Sequence, residues 1–247
     1  MGQRPSALKK WPGATGKGAK SRRCDGSATT PRKMGRGSMD ETLDFLAAER
    51  CSAILRTHHP RAVLPALRAA IEGGFKVVEC TLNTPGALGA IEECAANPDL
   101  LVGAGTVLSV EDARMATGAG ARFLVSPVCD PDVIAWGVEN DIVIIPGTYT
   151  PTEMLRAHRL GAPIVKLFPG PPNGPDFVRA VRGPMPFLRI FPTSGVTLEN
   201  AREFLDAGAF GVGFVNCLFQ PDDLAGERFD LLRERAARMV ACTASDI

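Results

Sequence analysis

The feature that most constrains the fold is an eightfold alternation of short apolar runs with longer stretches of helical spacing. The apolar runs are rich in β-branched residues and nearly continuous, as is typical of parallel strands buried on both faces. They cover 52–57, 75–82, 100–105, 122–127, 142–147, 163–168, 187–192 and 209–214. Eight strand–helix units in about 200 residues predict an α/β protein with a single (β/α)8 TIM barrel.

A doubly wound open sheet is the alternative architecture. Such a sheet normally has fewer strands and carries a glycine-rich nucleotide fingerprint after the first one. The segment that follows the first apolar run, LRTHHP at 55–60, is not such a fingerprint. We also expect residues 40–50 to form a helix that caps the bottom of the barrel.

Several helix boundaries carry sequence signals. Ser109 and Thr197 are expected to cap helices at their amino ends, and Thr150 with Glu153 has the spacing of a capping box. Glycines that tolerate positive φ are expected where helices end. These are Gly73 with Gly74, Gly118 with Gly120, Gly161 and Gly208.

Residues 1–38 differ from the rest of the chain. They contain ten lysines or arginines and one acid, a net charge of +9, and they lack apolar periodicity. We predict a disordered basic arm, followed by the barrel at 39–247. Three interpretations of the arm stay open: an organelle transit peptide, a segment upstream of the true start at Met34 or Met39, and an N-myristoylation signal at its first residues.

The body after the arm is acidic, with 18 basic and 26 acidic side chains. This charge gives no reason to expect nucleic-acid binding, and no apolar run approaches the ~20 residues that span a bilayer. The seven cysteines are odd in number and show no C-x-x-C spacing, so we expect no disulfide framework, no metal site and a reducing compartment. That compartment is the cytoplasm, or a plastid or mitochondrion if the arm is a transit peptide.

Two ionisable residues stand where the pattern predicts buried strand. Lys166 lies in PIVKLFP and Glu79 in KVVECTL. Burial lowers the pKa of the lysine, which would make its free amine a nucleophile, and raises the pKa of the carboxyl group toward the range useful for a general base. Both belong to even-numbered strands, so they can face one cavity. A structural ion pair is the alternative.

Arg56 and Thr106 end two further strands at the expected active-site face, and each could hold an anionic group. From the residues alone, the chain is a barrel with a buried lysine–glutamate pair and an anionic substrate. A Schiff-base lyase fits this description, and so would an isomerase or decarboxylase that uses the lysine as a charge.

Taken together, the motifs closely resemble the 2-keto-3-deoxy-6-phosphogluconate (KDPG) / 4-hydroxy-2-oxoglutarate (KHG) aldolase family. The resemblance covers roughly residues 42–240 and keeps the order and spacing of every segment. The segments that carry it are EGGFKVVECTLNTPGALGAI, VGAGTVLSVEDA, FLVSP, IPGTYTPTE, KLFPG and FPTSGV.

The resemblance implies a class I aldolase without metal or other cofactor, usually a homotrimer, that cleaves a keto acid to pyruvate and an aldehyde. It assigns the Schiff base to Lys166 and proton relay to Glu79. It also implies substrate-binding roles for a set of surrounding residues. These are Arg56, Thr106, Thr193, Pro127 and Phe168.

The sequence departs from the family pattern at its anion-binding positions. Asn83 stands where the family often has arginine, and Ser194 stands before Gly195 where the family has two glycines that cradle phosphate. Val215 and Asn216 replace a Gly-Ser pair at the phosphate. A β-branched side chain hinders close approach of a phosphate to that backbone, so the departures favour an unphosphorylated substrate. An oxaloacetate-type decarboxylase and a non-catalytic binding barrel are the competing functions.

Overall fold

The computed structural model describes residues 38–244 of the chain. Its strands are β1 Cys51–Leu55, β2 Val77–Thr81, β3 Leu101–Gly105, β4 Phe123–Val125, β5 Val143–Ile145, β6 Gly147–Thr148, β7 Val165–Leu167, β8 Ile190–Pro192 and β9 Val212–Phe214. Its α-helices are α1 Met39–Glu49, α2 Val63–Glu72, α3 Ala87–Ala95, α4 Val110–Gly118, α5 Pro131–Glu139, α6 Pro151–Arg159, α7 Gly174–Arg182, α8 Ala201–Asp206, α9 Pro221–Ala225 and α10 Phe229–Thr243. A 3-10 turn, Pro60–Ala62, precedes α2.

All strand pairs are parallel, but the described strands form two sheets. The larger sheet has the order β5-β4-β3-β2-β1-β9, and the smaller has the order β6-β7-β8. An α/β fold with parallel strands is therefore confirmed. The described strands form a curled six-stranded sheet and a three-stranded sheet and do not close into one barrel, because backbone pairing is interrupted at two seams.

The first seam lies inside the predicted strand 142–147, which becomes β5 and β6 on either side of Pro146. Proline has no N–H to donate to a ladder, so the pairing partner changes there. The Ile145 carbonyl accepts from the Ser126 N–H, whereas the Pro146 carbonyl accepts from the Lys166 N–H. At the second seam, the Phe210 N–H donates to the Ile190 carbonyl at 2.8 Å, just before β9 begins.

The helix caps agree with those predicted from the sequence, with one exception. Ser109 accepts a hydrogen bond from the Asp112 N–H, and Thr150 and Glu153 form a reciprocal capping box. The prediction for Thr197 is wrong, since α8 begins later and has Asn200 at its N-cap position. Asn200 instead accepts from the Thr197 N–H through its side chain, so a turn precedes the helix. Positive φ at the predicted helix ends is confirmed at Gly74, Gly120, Gly161 and Gly208.

Helix α1 covers the end of the strands opposite to the carboxyl ends. Its N-cap residue is Ser38, and its buried Leu46 joins an apolar cluster with Val77, Leu101 and Phe123, the first residues of their strands. This contact confirms the predicted helix at 40–50. The other helices pack their apolar faces on the outside of the sheets, which leaves the carboxyl ends of the strands for a cavity.

The predicted basic arm lies outside the described residues, except for Ser38. Within 38–244, no helix is both long enough and apolar enough to cross a membrane.

Candidate active site

A cavity of about 270 Å³ opens at the carboxyl ends of the strands, where functional sites of parallel α/β folds lie. Residues from strand ends and from the loops after them form its walls. They are Ile54, Arg56, Glu79, Thr81, Thr106, Pro127, Lys166, Phe168, Thr193, Ser194, Gly195, Val196, Thr197, Val215, Asn216 and Cys217. All predicted site residues except Asn83 are in this set. Asn83 is exposed and lies outside the lining.

Lys166 is the central residue of β7. Its neighbours Val165 and Leu167 are fully buried on the other face of the strand, so the alternation of side chains turns Lys166 into the cavity. Burial lowers the pKa of the Lys166 amine, the positive charge of Arg56 lowers it further, and the negative charge of Glu79 opposes both. The amine nitrogen lies 4.7 Å from the centre of the Phe168 ring. A lowered pKa increases the fraction of free amine, which is the nucleophilic form.

Glu79 is the central residue of β2, and only 2% of its surface is exposed. Burial raises the pKa of its carboxyl group to about 7, against the opposing effect of the Lys166 charge. Among the described residues, no ion pair within 4.0 Å joins Glu79 to Lys166. The two groups line the same cavity.

Gly105 makes room for the Glu79 carboxylate. A methyl group in place of the glycine hydrogen would lie 1.9 Å from Glu79 Oε1 and 2.9 Å from Thr81 Cγ2. Any larger residue at this position of β3 would push the carboxylate aside. The second glycine of the GAGT segment is thus a steric condition for the position of Glu79.

Thr106 follows β3 with a φ of 57°, a left-handed conformation that is unusual for a β-branched residue. Backbone hydrogen bonds on both sides fix it. The Gly105 carbonyl accepts from the Leu82 N–H at 2.8 Å, and the Val107 N–H donates to the Val125 carbonyl at 3.1 Å. Such a conformation costs about 1–3 kcal/mol, and conformations of this kind cluster at functional sites.

Arg56 directly follows β1 and is exposed at the cavity wall. It forms no hydrogen bond or ion pair with any residue of the described chain. A guanidinium in this position has its donors available for an anionic ligand.

Two loops form the remaining wall. Thr193 to Thr197 follow β8, and Val215 to Cys217 follow β9. The loops are joined where Cys217 Sγ donates to the Val196 carbonyl at 3.1 Å. Asn200 holds the first loop by donating its side-chain amide to the Gly195 carbonyl at 2.8 Å.

Gly195, not Ser194, takes the positive φ in the first loop, at 77°. Ser194 therefore does not adopt the left-handed backbone that would strain a residue with a Cβ atom. Val215 is half-buried in the wall of the cavity, and Asn216 is exposed at its edge.

Sequence reasoning missed several lining residues. Thr81 could have been found, because it ends β2 two residues after Glu79 and so points to the same side. Its hydroxyl shares a hydrogen bond of 3.0 Å with the Thr84 hydroxyl. Ile54, Val196, Thr197 and Cys217 carry no comparable signal, since their places in the wall depend on strand register and loop conformation.

Within residues 38–244, no cluster of three or more histidine, cysteine or acidic side chains could hold a metal ion. The cysteines of this range are free thiols. The chemical groups gathered in the cavity are thus an amine of lowered pKa, a carboxyl of raised pKa, hydroxyl groups and a guanidinium.

The known proteins that this chain resembles are aldolases. The family model of KDPG and KHG aldolases matches residues 44–227. The chain is 41% identical over 168 residues to 2-dehydro-3-deoxy-phosphogluconate aldolase of Treponema pallidum, which covers 65% of this chain and 79% of the relative. It is 33% identical over 192 residues to 2-dehydro-3-deoxy-6-phosphogalactonate aldolase of Escherichia coli, and this match covers 76% of this chain and 91% of the relative.

A similar solved structure is KDPG aldolase of Legionella pneumophila with pyruvate captured at low pH as a covalent carbinolamine intermediate. The TM-score is 0.73 at 27% sequence identity. The match covers 80% of this chain and 97% of that one.

Proposed function

This chain belongs to the family of KDPG and KHG aldolases, and on that premise we propose that Lys166 is its Schiff-base residue. The enzyme is a class I, pyruvate-dependent lyase that cleaves a 2-keto-3-deoxy acid to pyruvate and an aldehyde. The observation that carries the assignment is the position of Lys166, an amine of lowered pKa that faces Glu79 across the cavity.

The reaction follows from these two groups. The free amine of Lys166 attacks the C2 carbonyl of the keto acid, and loss of water from the carbinolamine gives an iminium ion. This cation withdraws electrons from the C3–C4 bond. When a base removes the proton of the C4 hydroxyl, the bond breaks and the aldehyde leaves. The remaining enamine is protonated at C3, and hydrolysis releases pyruvate and the amine.

Glu79 is the proton carrier of this scheme. With a pKa of about 7 it can both accept the C4 hydroxyl proton and return a proton to C3 near neutral pH. A water molecule in the cavity can relay the proton between its carboxylate and the substrate.

The pyruvate carboxylate is held by Thr106 and Arg56, and Pro127 and Phe168 form the walls beside it. Thr106 supports this role because its left-handed conformation is fixed by backbone hydrogen bonds on both sides. Arg56 supports it because its guanidinium has no partner within the described chain. Thr193 and Asn216 lie on the loops that face the rest of the substrate.

Borohydride trapping with pyruvate tests the proposal. Lys166 and Lys76 are the two lysines of the described residues, and they differ in exposure. Lys76 is exposed, and its ion pair with Glu49 raises the pKa of its amine, so it stays protonated. We expect peptide mass spectrometry to find a reduced pyruvate adduct on Lys166, absent in Lys166→Ala and retained in Lys76→Ala. A folded protein without an adduct would favour the non-catalytic binding barrel.

We further propose an unphosphorylated 2-keto-3-deoxy acid, or 4-hydroxy-2-oxoglutarate, as the substrate. Val215 supports this choice, since its branched side chain occupies the wall where the family pattern has glycine. Ser194 supports it less, because Gly195 supplies the positive φ of that loop. The measurement is kcat/KM for 2-keto-3-deoxygluconate with and without a 6-phosphate, and a strong preference for the phosphorylated compound would contradict the choice.

Two finer features belong to the same proposal. The two sheets act as the halves of one eight-stranded barrel, joined through Pro146 and through the contact between Phe210 and Ile190. The enzyme assembles as a homotrimer, which light scattering of the purified protein can test.

A further inference from the structure

Helix α10 contacts the segment that follows β9 and forms part of the cavity wall. Arg235 of α10 donates from Nη1 to the Leu218 carbonyl at 2.8 Å and from Nη2 to Asp223 Oδ2 at 2.7 Å. One guanidinium thus spans a backbone carbonyl next to the cavity wall and a buried carboxylate. A planar fork of donors fixes its two partners relative to each other.

Asp223 is 4% exposed and carries a second arginine on its other oxygen. Arg228 Nε donates to Asp223 Oδ1 at 2.8 Å, and the Arg228 N–H donates to the Asp223 carbonyl at the same distance. These contacts hold the pKa of the Asp223 carboxyl below its usual range. A buried carboxylate is costly unless it is paired, so the two arginines stabilise Asp223 in its charged form.

The position of Leu218 determines the geometry of the lining residues just before it. The N–H groups of Leu218 and Phe219 both donate to the Val215 carbonyl, at 3.1 and 2.8 Å. This closes a tight turn over Val215, Asn216 and Cys217, which all line the cavity. Because Cys217 also donates to the Val196 carbonyl, a shift of this turn would move the neighbouring loop as well.

We infer that Arg235 and Asp223 are positioning residues that set affinity for the part of the substrate beyond C3. The inference rests on the proposed function, since Lys166 must bond C2 and the pyruvate portion then lies beside Thr106 and Arg56. The walls after β8 and β9 remain for C4 and the atoms beyond it. Neither Arg235 nor Asp223 lines the cavity, so their effect passes through the turn at Val215.

The variant that tests the inference is Arg235→Gln, with Arg233→Gln as a matched control. Arg233 lies two residues earlier on α10 and forms ion pairs with Asp230 and Glu72 near the surface, away from the cavity loop. For Arg235→Gln we expect KM for 2-keto-3-deoxygluconate to rise about tenfold while kcat changes less than about twofold. The rate of pyruvate trapping on Lys166 should stay unchanged, because pyruvate does not reach beyond C3.

Arg235→Lys extends the test. Lysine keeps the ion pair with Asp223 but lacks the planar fork, so its KM should lie between those of wild type and Arg235→Gln. An unchanged KM in folded Arg235→Gln would overturn the inference. A rise in KM accompanied by equally large falls in kcat and in the trapping rate would overturn it as well. If Arg235→Gln fails to fold, the comparison of Arg235→Lys with wild type decides.

A binding measurement separates this inference from the proposed function. In the Lys166→Ala background no Schiff base can form, and calorimetry with 2-keto-3-deoxygluconate reads affinity alone. Adding Arg235→Gln should weaken that affinity about tenfold, whereas adding Arg233→Gln should leave it unchanged. Failure of pyruvate trapping in the wild type would reject the role of Lys166, and an unchanged affinity here would reject the role of Arg235.

Discussion

The two halves of the cavity are built differently. Lys166 and Glu79 are central residues of their strands, and ladder hydrogen bonds fix the backbone beneath them. Thr193 to Thr197 and Val215 to Cys217 lie on loops, whose backbone is held by side-chain contacts and turn hydrogen bonds instead of a ladder. Reacting groups on rigid elements keep their geometry, and loops can change without disturbing it.

The difference extends to charge. The strand half contains a buried amine and a buried carboxyl whose pKa values are shifted in the directions that make both neutral. Among the described residues, the loop half contributes hydroxyl, amide and thiol groups to the lining, and no ionisable carboxylate or amine. We therefore expect substitutions in the strand half to reduce chemistry, and substitutions in the loop half to change substrate choice.

Removal of the Glu79 carboxylate should reduce the rate of cleavage more than any substitution in the loop half. Glu79→Gln keeps the shape of the side chain but cannot carry a proton, so kcat for retro-aldol cleavage should fall about 10²–10⁴-fold. Trapping of pyruvate on Lys166 should persist, although more slowly. A variant with nearly full kcat would show that another group carries the proton.

Gly105→Ala tests the position of Glu79 rather than its chemistry. The added methyl group would lie 1.9 Å from Oε1, so the carboxylate must move, and a displacement of about 1 Å can cost up to about 100-fold in rate. Gly89→Ala is the matched control, because a methyl group there meets no atom within 4 Å. Steady-state kinetics should show a loss in kcat for the first variant and none for the second, with melting temperatures to confirm folding.

The pH dependence should report the same carboxyl group. Glu79 acts as a base in its charged form, and burial raises its pKa to about 7. The value of kcat/KM should therefore fall as the pH drops below about 7, approaching about tenfold per pH unit. Glu79→Gln should lose this limb of the profile. If the limb persists in the variant, it belongs to the amine of Lys166, whose pKa burial also lowers.

The strand half was largely predictable from sequence. A charged residue inside an apolar strand is conspicuous, and Lys166 and Glu79 were both found this way. Strand alternation then placed them in one cavity. The break at Pro146 could also have been anticipated, since proline cannot donate to the ladder, but which strand each fragment joins depends on the whole sheet.

The loop half was less predictable because its geometry depends on contacts distant in sequence. The positive φ of the first loop falls on Gly195 and not on Ser194, and the sequence alone does not show which of the two residues takes it. Asn83 was expected at the substrate, but it is exposed in the turn after β2 and lies outside the lining. The Arg235 contact with Leu218 joins residues 17 apart and has no signature in the sequence.

The smallest expected effect concerns substrate choice in the loop half. Val215→Ala removes the branch from the cavity wall and should raise kcat/KM for the 6-phosphorylated acid about 3- to 10-fold relative to the unphosphorylated one, within the range that a few methyl groups supply. Ser194→Gly is the control, since Ser194 does not take the positive φ and its replacement frees no strained backbone. Parallel assays with both acids measure the ratio. An equal gain in the two variants would show that loop flexibility, rather than the Val215 side chain, limits access of the phosphate.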